Sequence, residues 1–550
     1  MVILMTPRDY LSICLICKDE NAYLPEWLDY HILMGVDRFY IYDNESRVSL
    51  GATLQDYIQR GWVVVLEMPG KAMQMQAYDH CLQTFGSNTF WLGFIDADEF
   101  LVPKTSMDLK ALLQEYEAYG GLAVSSLFFG SGGQKEQPAA GQIGGYLWRT
   151  HETYPENQLV KCIVRPDRVL LPNSPHDFIF KENAWCVNED FKRVDYQRFP
   201  NYTRKIQLNH YYCRSESELE KKLSRGNAGA VQWPRARFDR VNQHATIQDT
   251  TILQNLEKFF ARTATVQPWK LEIANLNGLS EQLASVANER SRARLLAEAL
   301  APITPRPEFA AFTALKDQIL QAKAKQDLAA LNQLCQKFLE VFPQHLPVYT
   351  DLMWNLLRMG DPQAAWGAVA QAWRLAPNSF FVLSYMGYYF LSVQNFTMVE
   401  KTARLMLEIG PSDLHALYFL TEALLGQGRP EEALKVGLPV IEISARLGEL
   451  PENIEIHLVK KLADYLIQKQ DFSAAVHLWR LGVLCAKSSS TAMFELANAH
   501  LLNGEISQGR ELLLRLQALD PKMTQVQQRL KQLDARPANG KHKPINKKLQ

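Results

Sequence analysis

The amino-acid sequence predicts two domains of different fold class, an α/β domain followed by an all-α domain. Up to about residue 245, short runs of β-forming residues alternate with helical segments, which is the pattern of α/β folds. From about residue 250 onward, these runs give way to segments rich in Leu, Ala, Gln, Lys and Glu at helical spacing. A chain of 550 residues also exceeds the size of one hydrophobic core. We therefore expect at least two large folding units.

Four short apolar runs define the predicted strands of the first domain. They cover residues 10–17, 38–42, 62–67 and 90–95. Their lengths are those of ordinary strands, and helical segments separate them. No G-x-G-x-x-G pattern follows the first run, which argues against a dinucleotide-binding domain.

The second domain contains a repeat whose period is visible in its prolines. Pro343, Pro377 and Pro411 are each 34 residues apart and stand in similar contexts. This period is typical of tetratricopeptide repeats, in which paired helices stack into a solenoid. Small residues fall where paired helices approach closely, at Ala365, Gly387 and Ala433. We expect about five units, with a plain helical bundle as the alternative. A solenoid presents a concave surface and implies a protein partner.

These patterns predict four segments along the chain. Residues 1–245 form the α/β domain, 246–304 a helical connector, 305–534 the repeat domain and 535–550 a disordered basic tail. The tail contains four lysines and lacks apolar periodicity, which is typical of disordered segments.

The bulk composition narrows the classes of partner and compartment. Lys plus Arg and Asp plus Glu number 59 each, so the net charge favours no nucleic acid partner. No uninterrupted apolar stretch reaches the ~18 residues of a transmembrane helix, and the apolar start is too short for a signal peptide. The eight cysteines are scattered, which argues against a disulfide scaffold. We expect a cytoplasmic protein and leave peripheral attachment to the inner membrane open.

The most informative segment is residues 90–100, FWLGFIDADEF, where an apolar strand runs into three acids. A strand that ends in Asp-x-Asp places Asp96 and Asp98 at the carboxyl edge of the sheet, where ligands of open α/β sheets bind. Mg²⁺ and Mn²⁺ prefer oxygen ligands and are commonly held by one or two carboxylates plus substrate phosphates. The motif therefore suits a diphosphate substrate.

Several motifs in order resemble glycosyltransferase family 92 and its bacterial family-2-like relatives. The resemblance spans roughly residues 8 to 230 and includes ICKDENAYLPEWLDYH at 16–31, GVDRFYIYDNES at 35–46, DADEF at 96–100, FGSGG at 129–133, KCIVRP at 161–166, PH at 175–176 and NHYY at 209–212. It implies a GT-A fold, meaning a Rossmann-like nucleotide-diphospho-sugar transferase domain. It also implies a nucleotide-sugar donor, typically a UDP-sugar, a divalent cation, and inversion at the anomeric carbon.

The loops after the first strands supply the predicted nucleotide-binding residues. Lys18 can offset phosphate charge, and Glu20 can accept hydrogen bonds from a base or ribose. The alternative for Asp19-Glu20 is a helix N-cap. Asp43 and Asn44 at the end of the second strand are candidates for base contacts, with an ordinary polar turn as the alternative. Gln74 is a further nucleotide candidate by its position in the family.

Metal and catalytic roles are predicted for the acids of the DADEF motif and for later residues. Asp98 is the first choice as metal ligand, Asp96 contacts the ribose or, through a water molecule, the metal, and Glu99 is the third acid. Enzymes of this fold often complete the metal shell with a histidine, and the motif positions name two, His176 and His210.

Inversion requires a carboxylate base to deprotonate the acceptor hydroxyl. Glu152 and Asp177 are the candidates for that base, and Glu156 and Glu182 compete with them.

The sequence therefore predicts a metal-dependent inverting glycosyltransferase. It would move a sugar from a nucleotide-diphosphate donor to a hydroxyl of a glycan, glycolipid or protein, with the repeats recruiting the acceptor or a partner protein. The main alternative is a repeat scaffold whose α/β domain binds a sugar nucleotide without turnover. A nucleotidyltransferase or a nucleotide-sugar hydrolase using the same metal geometry is a third reading.

Overall fold

The computed structural model describes residues 9–106, 108–225, 235–262, 305–447, 456–486 and 489–535. The chain divides into two compact units, Met1–Val382 and Leu383–Gln550. Most of the predicted connector and nearly all of the predicted basic tail, residues 263–304 and 536–550, lie outside the described residues.

The first part of the chain contains fourteen described strands. They are β1 (Asp9–Cys17), β2 (Arg38–Asp43), β3 (Val63–Glu67), β4 (Thr89–Phe94), β5 (Glu99–Pro103), β6 (Gly121–Phe128), β7 (Trp148–Thr150), β8 (Val160–Val164), β9 (Val169–Pro172), β10 (Phe178–Phe180), β11 (Cys186–Val187), β12 (Arg193–Val194), β13 (Ile206–His210) and β14 (Ala245–Gln248). The four predicted strands correspond to β1, β2, β3 and β4, each within one residue at either end.

Helices alternate with these strands, as predicted. They are α1 (Leu24–Leu33), α2 (Leu50–Thr53), α3 (Gln55–Gln59), α4 (Gln74–Phe85), α5 (Leu109–Leu113), α6 (Gly141–Gly145), α7 (Glu216–Arg225), α8 (Arg235–His244) and α9 (Thr251–Arg262).

Ten of the strands form one mixed sheet in the order β12-β11-β6-β8-β4-β1-β2-β3, with β13 joined to β6 and β5 joined to β13. Strands β1, β2, β3 and β4 run parallel to their neighbours in that group, whereas β8 is antiparallel to β4 and β6. The carboxyl ends of the parallel strands therefore meet at one edge. This arrangement confirms the predicted α/β class.

Helix α1 shows how the sequence builds the core beneath that edge. Leu24, Trp27, Leu28 and His31 are buried at the spacing of one helical face. The indole nitrogen of Trp27 donates to the backbone carbonyl of Glu99 at 2.8 Å, which fixes the start of β5. The core packing of α1 thus positions the strand that follows the DADEF acids.

Helix α9 extends the first domain beyond residue 245. Ile252 and Leu256 are fully buried in the same hydrophobic core as Trp27 and Phe100. Strand β14 pairs with β7 just before it. Residues 246–259 therefore pack with the α/β domain, within the segment 246–304 that was predicted as a connector.

Thirteen described helices follow. They are α10 (Pro307–Lys325), α11 (Leu328–Val341), α12 (Leu346–Arg358), α13 (Pro362–Leu375), α14 (Phe380–Ser392), α15 (Phe396–Ile409), α16 (Leu414–Gly426), α17 (Pro430–Leu447), α18 (Ile456–Gln468), α19 (Phe472–Cys485), α20 (Ser490–Leu502), α21 (Ile506–Leu519) and α22 (Thr524–Asp534). Among the described residues, none of the helices of this protein combines the length and apolar character of a membrane span.

The predicted 34-residue repeat is confirmed, because the three prolines each follow the end of a helix, namely α11, α13 and α15. The helix caps repeat with the same period. Asp327, Asp361 and Asn395 each accept a hydrogen bond from the backbone three residues on, at the starts of α11, α13 and α15. The sequence therefore encodes the repeat a second time, in its N-cap residues.

Gly387 provides a test of the close helix packing inferred from small residues. A Cβ atom at this position would lie 2.7 Å from the ring of Phe419 on α16. We expect Gly387→Leu to destabilise the protein by about 1–3 kcal/mol, because the added side chain overpacks this contact. Gly367 on α13 is the matched control, since no neighbour lies within 4 Å of its added Cβ. Gly367→Leu should raise stability by about 0.5–1 kcal/mol through helix propensity. Urea unfolding measures both, and equal stabilisation by the two changes would contradict the packing argument.

Candidate functional site

The carboxyl edge of the sheet collects most of the predicted site residues. Cys17 at the end of β1 pairs with Asp43 at the end of β2, and Cys14 pairs with Phe94 at the end of β4. The loops that begin at Lys18, Asn44 and Ile95 therefore leave the sheet side by side.

Strand β13 brings a histidine to the same place from far along the chain. It pairs antiparallel with β5, and this register sets His210 opposite Glu99. The backbone amide of Tyr211 also donates to the carbonyl of Asp98 at 2.8 Å. The residues Asp96, Asp98, Glu99 and His210, called the acid centre below, are thus assembled by one strand pairing.

Within the acid centre, His210 faces two carboxylates. Its Nε2 lies 3.7 Å from Oδ1 of Asp98, and its Nδ1 lies 3.6 Å from Oε1 of Glu99. The Phe128 ring packs on the imidazole at 4.5 Å between centroids. This packing and the strand register hold the ring in place.

Three cations surround these acids, and none of them was assigned a role from the sequence. Lys161 on β8 is buried and lies 2.9 Å from Asp96 and 3.4 Å from Glu99. Lys222 on α7 lies 3.3 Å from Asp98. The sequence did contain a signal for Lys161, because it is a lysine inside the apolar strand VKCIV. A buried lysine needs a partner of opposite charge.

Arg214 is the third cation and connects the first loop to the acid centre. Its Nη1 lies 2.6 Å from Glu20, and its Nε donates to Oε1 of Gln142 at 3.0 Å. The guanidinium also lies over the Tyr23 ring at 4.3 Å. Glu20 therefore takes part in an ion pair at the edge where nucleotide binding was predicted.

Burial and charge set the protonation states at the acid centre. Burial tends to raise the pKa of Asp98, but the cations Lys222 and Arg214 outweigh it and hold that pKa well below its usual range. Burial raises the pKa of Glu99, Lys161 opposes this rise, and Asp96 and Asp98 add to it. Burial lowers the pKa of His210 to about 4, although Asp98 acts in the opposite direction. At neutral pH, Asp98 is an anion and His210 a neutral imidazole.

The predicted base contacts at the end of β2 are engaged within the protein. Asp43 accepts backbone hydrogen bonds from Ser46 and Leu50 through its two oxygens. Asn44 donates to the carbonyls of Met68 and Gly70 at 2.7 and 2.9 Å. Both side chains therefore shape the loop that follows β2, which is the polar-turn role considered above.

Gln74, which was predicted to bind the nucleotide, contacts the acid centre directly. It is the first residue of α4, and its amide donates to Oδ1 of Asp96 at 3.1 Å. Asp96 is thus oriented from two sides, by Gln74 and by Lys161.

His176, the second histidine predicted to bind the metal, lies in a different environment from His210. His176 Nδ1 contacts the backbone carbonyl of Val160 at 3.0 Å. Burial, with help from Lys161, lowers the pKa of His176 to about 3. Of the two histidines, His210 therefore lies beside Asp98, whereas His176 contacts the backbone of β8.

The two predicted bases, Glu152 and Asp177, differ in how exposed and how strongly hydrogen-bonded their carboxylates are. Glu152 follows β7 and pairs with Arg149 at 2.7 Å, with 41% of its side chain exposed. Asp177 is buried in the turn before β10, where Asn173 and Ser174 donate to its two oxygens. Asp177 thus stabilises the β9–β10 turn, and Glu152 pairs with Arg149 rather than with a residue of the acid centre.

Across the described part of the chain, no group of three or more His, Cys, Asp or Glu side chains has the arrangement of a metal site. The acid centre offers a pair of ligands, Asp98 and His210.

Glu26 is a buried acid behind this edge and gives a pH prediction. It accepts the backbone amides of Gln142 and Ile143 at 2.7 and 3.1 Å. Burial raises its pKa from 4.5 to about 7, against the lowering effect of these hydrogen bonds. The folded chain therefore binds a proton that the unfolded chain releases between these two values, and the associated stability is complete below pH 4.5 and lost as the pH rises to about 7.

We expect Glu26→Gln to flatten the fall of stability between these pH values, by on the order of 1.4 kcal/mol per pH unit. Thermal unfolding at a series of pH values measures this slope. Glu115→Gln is the control, because the Glu115 side chain is 46% exposed. A slope that is unchanged in the Glu26 variant would contradict the assignment.

Comparisons with known proteins point to one family for the first domain. Residues 10–259 match the model of glycosyltransferase family 92. A glycosyltransferase family 92 protein of Ricinus communis is 30% identical over 187 residues, which is 33% of each chain. One from Oryza sativa subsp. japonica is 32% identical over 184 residues, covering 32% of this chain and 31% of the relative. The chain spans about a third of the length of these relatives.

Solved structures resemble the helical part. A structure from the functional characterization of Pseudomonas aeruginosa pilF has a TM-score of 0.33 at 14% identity and covers 41% of this chain and 100% of its own. The structure of YrrB, described as a TPR protein with an unusual peptide-binding site, has a TM-score of 0.28 at 14% identity and covers 36% of this chain and 97% of its own.

Proposed function

We propose that this protein, whose residues 10–259 match the model of glycosyltransferase family 92, is a metal-dependent, inverting glycosyltransferase of the GT-A type. The donor is a nucleotide-diphosphate sugar, with a UDP-sugar expected, and the acceptor is a hydroxyl of a glycan, glycolipid or protein. The observation that carries the proposal is the convergence of Asp98, His210 and three cations at the carboxyl edge of the sheet.

The charges at this edge suit a donor diphosphate. Lys222 and Arg214 face the acid centre from α7 and the segment before it. Cations at this distance offset the negative charge of phosphate oxygens, and the guanidinium can bind them through two nitrogens. Lys18, which follows β1, is a further phosphate contact in this proposal.

The donor atoms of the acid centre fit a divalent cation. Asp98 Oδ1 and His210 Nε2 are 3.7 Å apart. Two ligands that each lie about 2.1 Å from one Mg²⁺ or Mn²⁺ ion stand roughly 3–4 Å apart. Burial keeps His210 neutral, the state in which imidazole binds metals. Asp98 and His210 would therefore hold the ion, with Asp96 oriented beside them, and the bound ion would stabilise negative charge on the departing diphosphate.

The proposed reaction is a single displacement. The acceptor oxygen forms a bond to the anomeric carbon while the bond from that carbon to the diphosphate oxygen breaks, and the electron pair leaves with the nucleoside diphosphate. A carboxylate base takes the proton of the acceptor hydroxyl. Glu152 stays the proposed base, because its carboxylate is partly exposed, whereas that of Asp177 is committed to its own turn.

The helical repeats are proposed to recruit the acceptor or a partner protein. Stacked helix pairs provide an extended surface for such contacts and rarely perform chemistry themselves.

A thermal-shift panel tests the donor site. Purified protein is heated with UDP, GDP, CMP and dTDP sugars, each with Mn²⁺ or with EDTA. A ligand that binds the native state alone adds about 2.7 kcal/mol at a hundredfold excess over its dissociation constant. We expect a metal-dependent shift with one nucleotide class. No shift with any nucleotide would contradict the proposal and favour a repeat scaffold without a donor site.

A further inference from the structure

A second concave site lies beside the acid centre. It is a cleft of about 560 Å³ lined by Ser131, Gly132, Gly133, Trp148, Glu216, Phe238, Asp239, Asn242, Gln243 and Ala245. None of these residues belongs to the predicted nucleotide or metal site. We call it the Trp148 cleft. Because its lining is distinct from the predicted nucleotide and metal site, we consider a separate ligand for it.

The chain places this cleft next to the reacting edge. Phe128, the last residue of β6, packs on His210, and the amide of Phe129 donates to the His210 carbonyl at 2.8 Å. Ser131 follows Phe128 by three residues, a span of at most about 11 Å. On the other wall, Glu216 begins α7, the helix that also carries Lys222 to Asp98. A molecule in the cleft is thus within a few sugar lengths of the acid centre.

Trp148 forms an aromatic surface on a rigid support. Its side chain is 42% exposed, although it lies in strand β7, which pairs with β14. The adjacent Arg149 holds Asp249 at 2.7 Å, and the Trp148 carbonyl accepts the amide of Gly130 at 2.8 Å. An exposed tryptophan on a fixed backbone offers a flat apolar face without losing conformational freedom on binding.

Glycines keep the space in front of this ring open. A Cβ at Gly132 would lie 3.2 Å from Cδ1 of Trp148, and its φ is +59°. At Gly133, φ is +81° and an added Cβ would meet nothing within 4 Å. Gly130 lets the loop approach Ala245, because a Cβ there would lie 2.5 Å from the Ala245 side chain. The loop therefore bends around the cleft and leaves backbone groups accessible to a ligand.

Three polar side chains of the lining, Glu216, Asp239 and Gln243, are available to a ligand. Within the described part of the chain, the carboxylates of Glu216 and Asp239 and the amide of Gln243 form no hydrogen bond with another residue. Asn242 is occupied, since its Oδ1 accepts the amide of Ser131 at 2.7 Å. Carboxylates and amides that surround a flat aromatic face match a ligand with many hydroxyls and an apolar C–H face.

We propose that the Trp148 cleft binds the acceptor, and that the acceptor is a carbohydrate whose pyranose ring stacks on Trp148. The identification of the ligand as the acceptor rests on the proposed function. The inference that the cleft binds a carbohydrate does not. Acidic side chains in the cleft disfavour an anionic ligand, so a neutral sugar chain is the ligand class. The open form of the cleft suits a ring within a longer glycan.

The test uses the full chain and three variants. Trp148→Ala removes the stacking surface, and Gln243→Ala removes an exposed lining amide without touching the core. Phe191→Ala is the matched control, because Phe191 is an aromatic residue of similar exposure, 43%, that lies outside the cleft. Lactose, maltose and N,N′-diacetylchitobiose serve as probes in saturation-transfer NMR, and as acceptors with the donor identified by the thermal-shift panel.

We expect at least one disaccharide to bind, and Trp148→Ala to weaken its binding and raise its KM about tenfold. The nucleotide-induced thermal shift should be unchanged in that variant, and Phe191→Ala should resemble the unmodified chain in every readout. Equal disaccharide binding by the Trp148 variant and the unmodified chain, or no binding of any disaccharide, would overturn the proposal. Disaccharide binding at Trp148 without any nucleotide shift would leave the carbohydrate site standing while removing the glycosyltransferase proposal.

Discussion

Replacing Asp98 with Asn is expected to lower kcat for sugar transfer by roughly 10²–10³-fold while the domain stays folded. The amide keeps the size of the side chain but loses the anionic charge that Lys222 and Arg214 stabilise. It therefore weakens both the proposed metal contact and the electrostatic balance around the diphosphate, and groups that stabilise developing charge contribute effects of this size. Initial rates at saturating donor and acceptor measure the loss.

Asp167→Asn is the control for the Asp98 variant. The Asp167 side chain is 45% exposed and pairs with Arg165 on the surface, so its replacement should leave turnover unchanged. The metal-dependent part of the nucleotide thermal shift should also disappear in the Asp98 variant alone. Activity within tenfold of the unmodified chain would mean that the acid centre is not the reaction site.

Replacing Lys161 with Met is expected to destabilise the protein by about 3–5 kcal/mol. The Lys161 ammonium is almost fully buried between Asp96 and Glu99, at 2.9 and 3.4 Å. Removing one partner of a buried ion pair leaves the other charge without compensation, which is the costly case. Urea unfolding of the purified variant gives the change in free energy.

A double variant separates charge from packing at this position. Asp96→Asn in the Lys161→Met background removes the carboxylate that lies 2.9 Å from the lysine, so the double variant should recover a large part of the lost stability. A double variant that is less stable than Lys161→Met alone would contradict the ion-pair explanation.

The positions of the acids were accessible from the sequence because they follow from local pattern. An apolar run that ends in Asp96 and Asp98 predicts both the strand and the edge at which it ends, and β4 ends at Phe94 as that argument requires. The 34-residue spacing of Pro343, Pro377 and Pro411 likewise predicted the helix pairs. Both signals depend only on neighbouring residues or on a fixed spacing, and a single sequence shows both.

Only the tertiary structure decided which distant side chains meet these acids. His176 and His210 were equivalent by motif, and the antiparallel register of β5 and β13 placed His210 opposite Glu99. The cations Lys161, Arg214 and Lys222 come from β8, the segment after β13 and α7, and Trp148 faces its cleft because β7 pairs with β14. The physical reason is that long-range strand pairing and buried charge compensation depend on residues far apart in the chain, whose contacts no local period or strand-end pattern records.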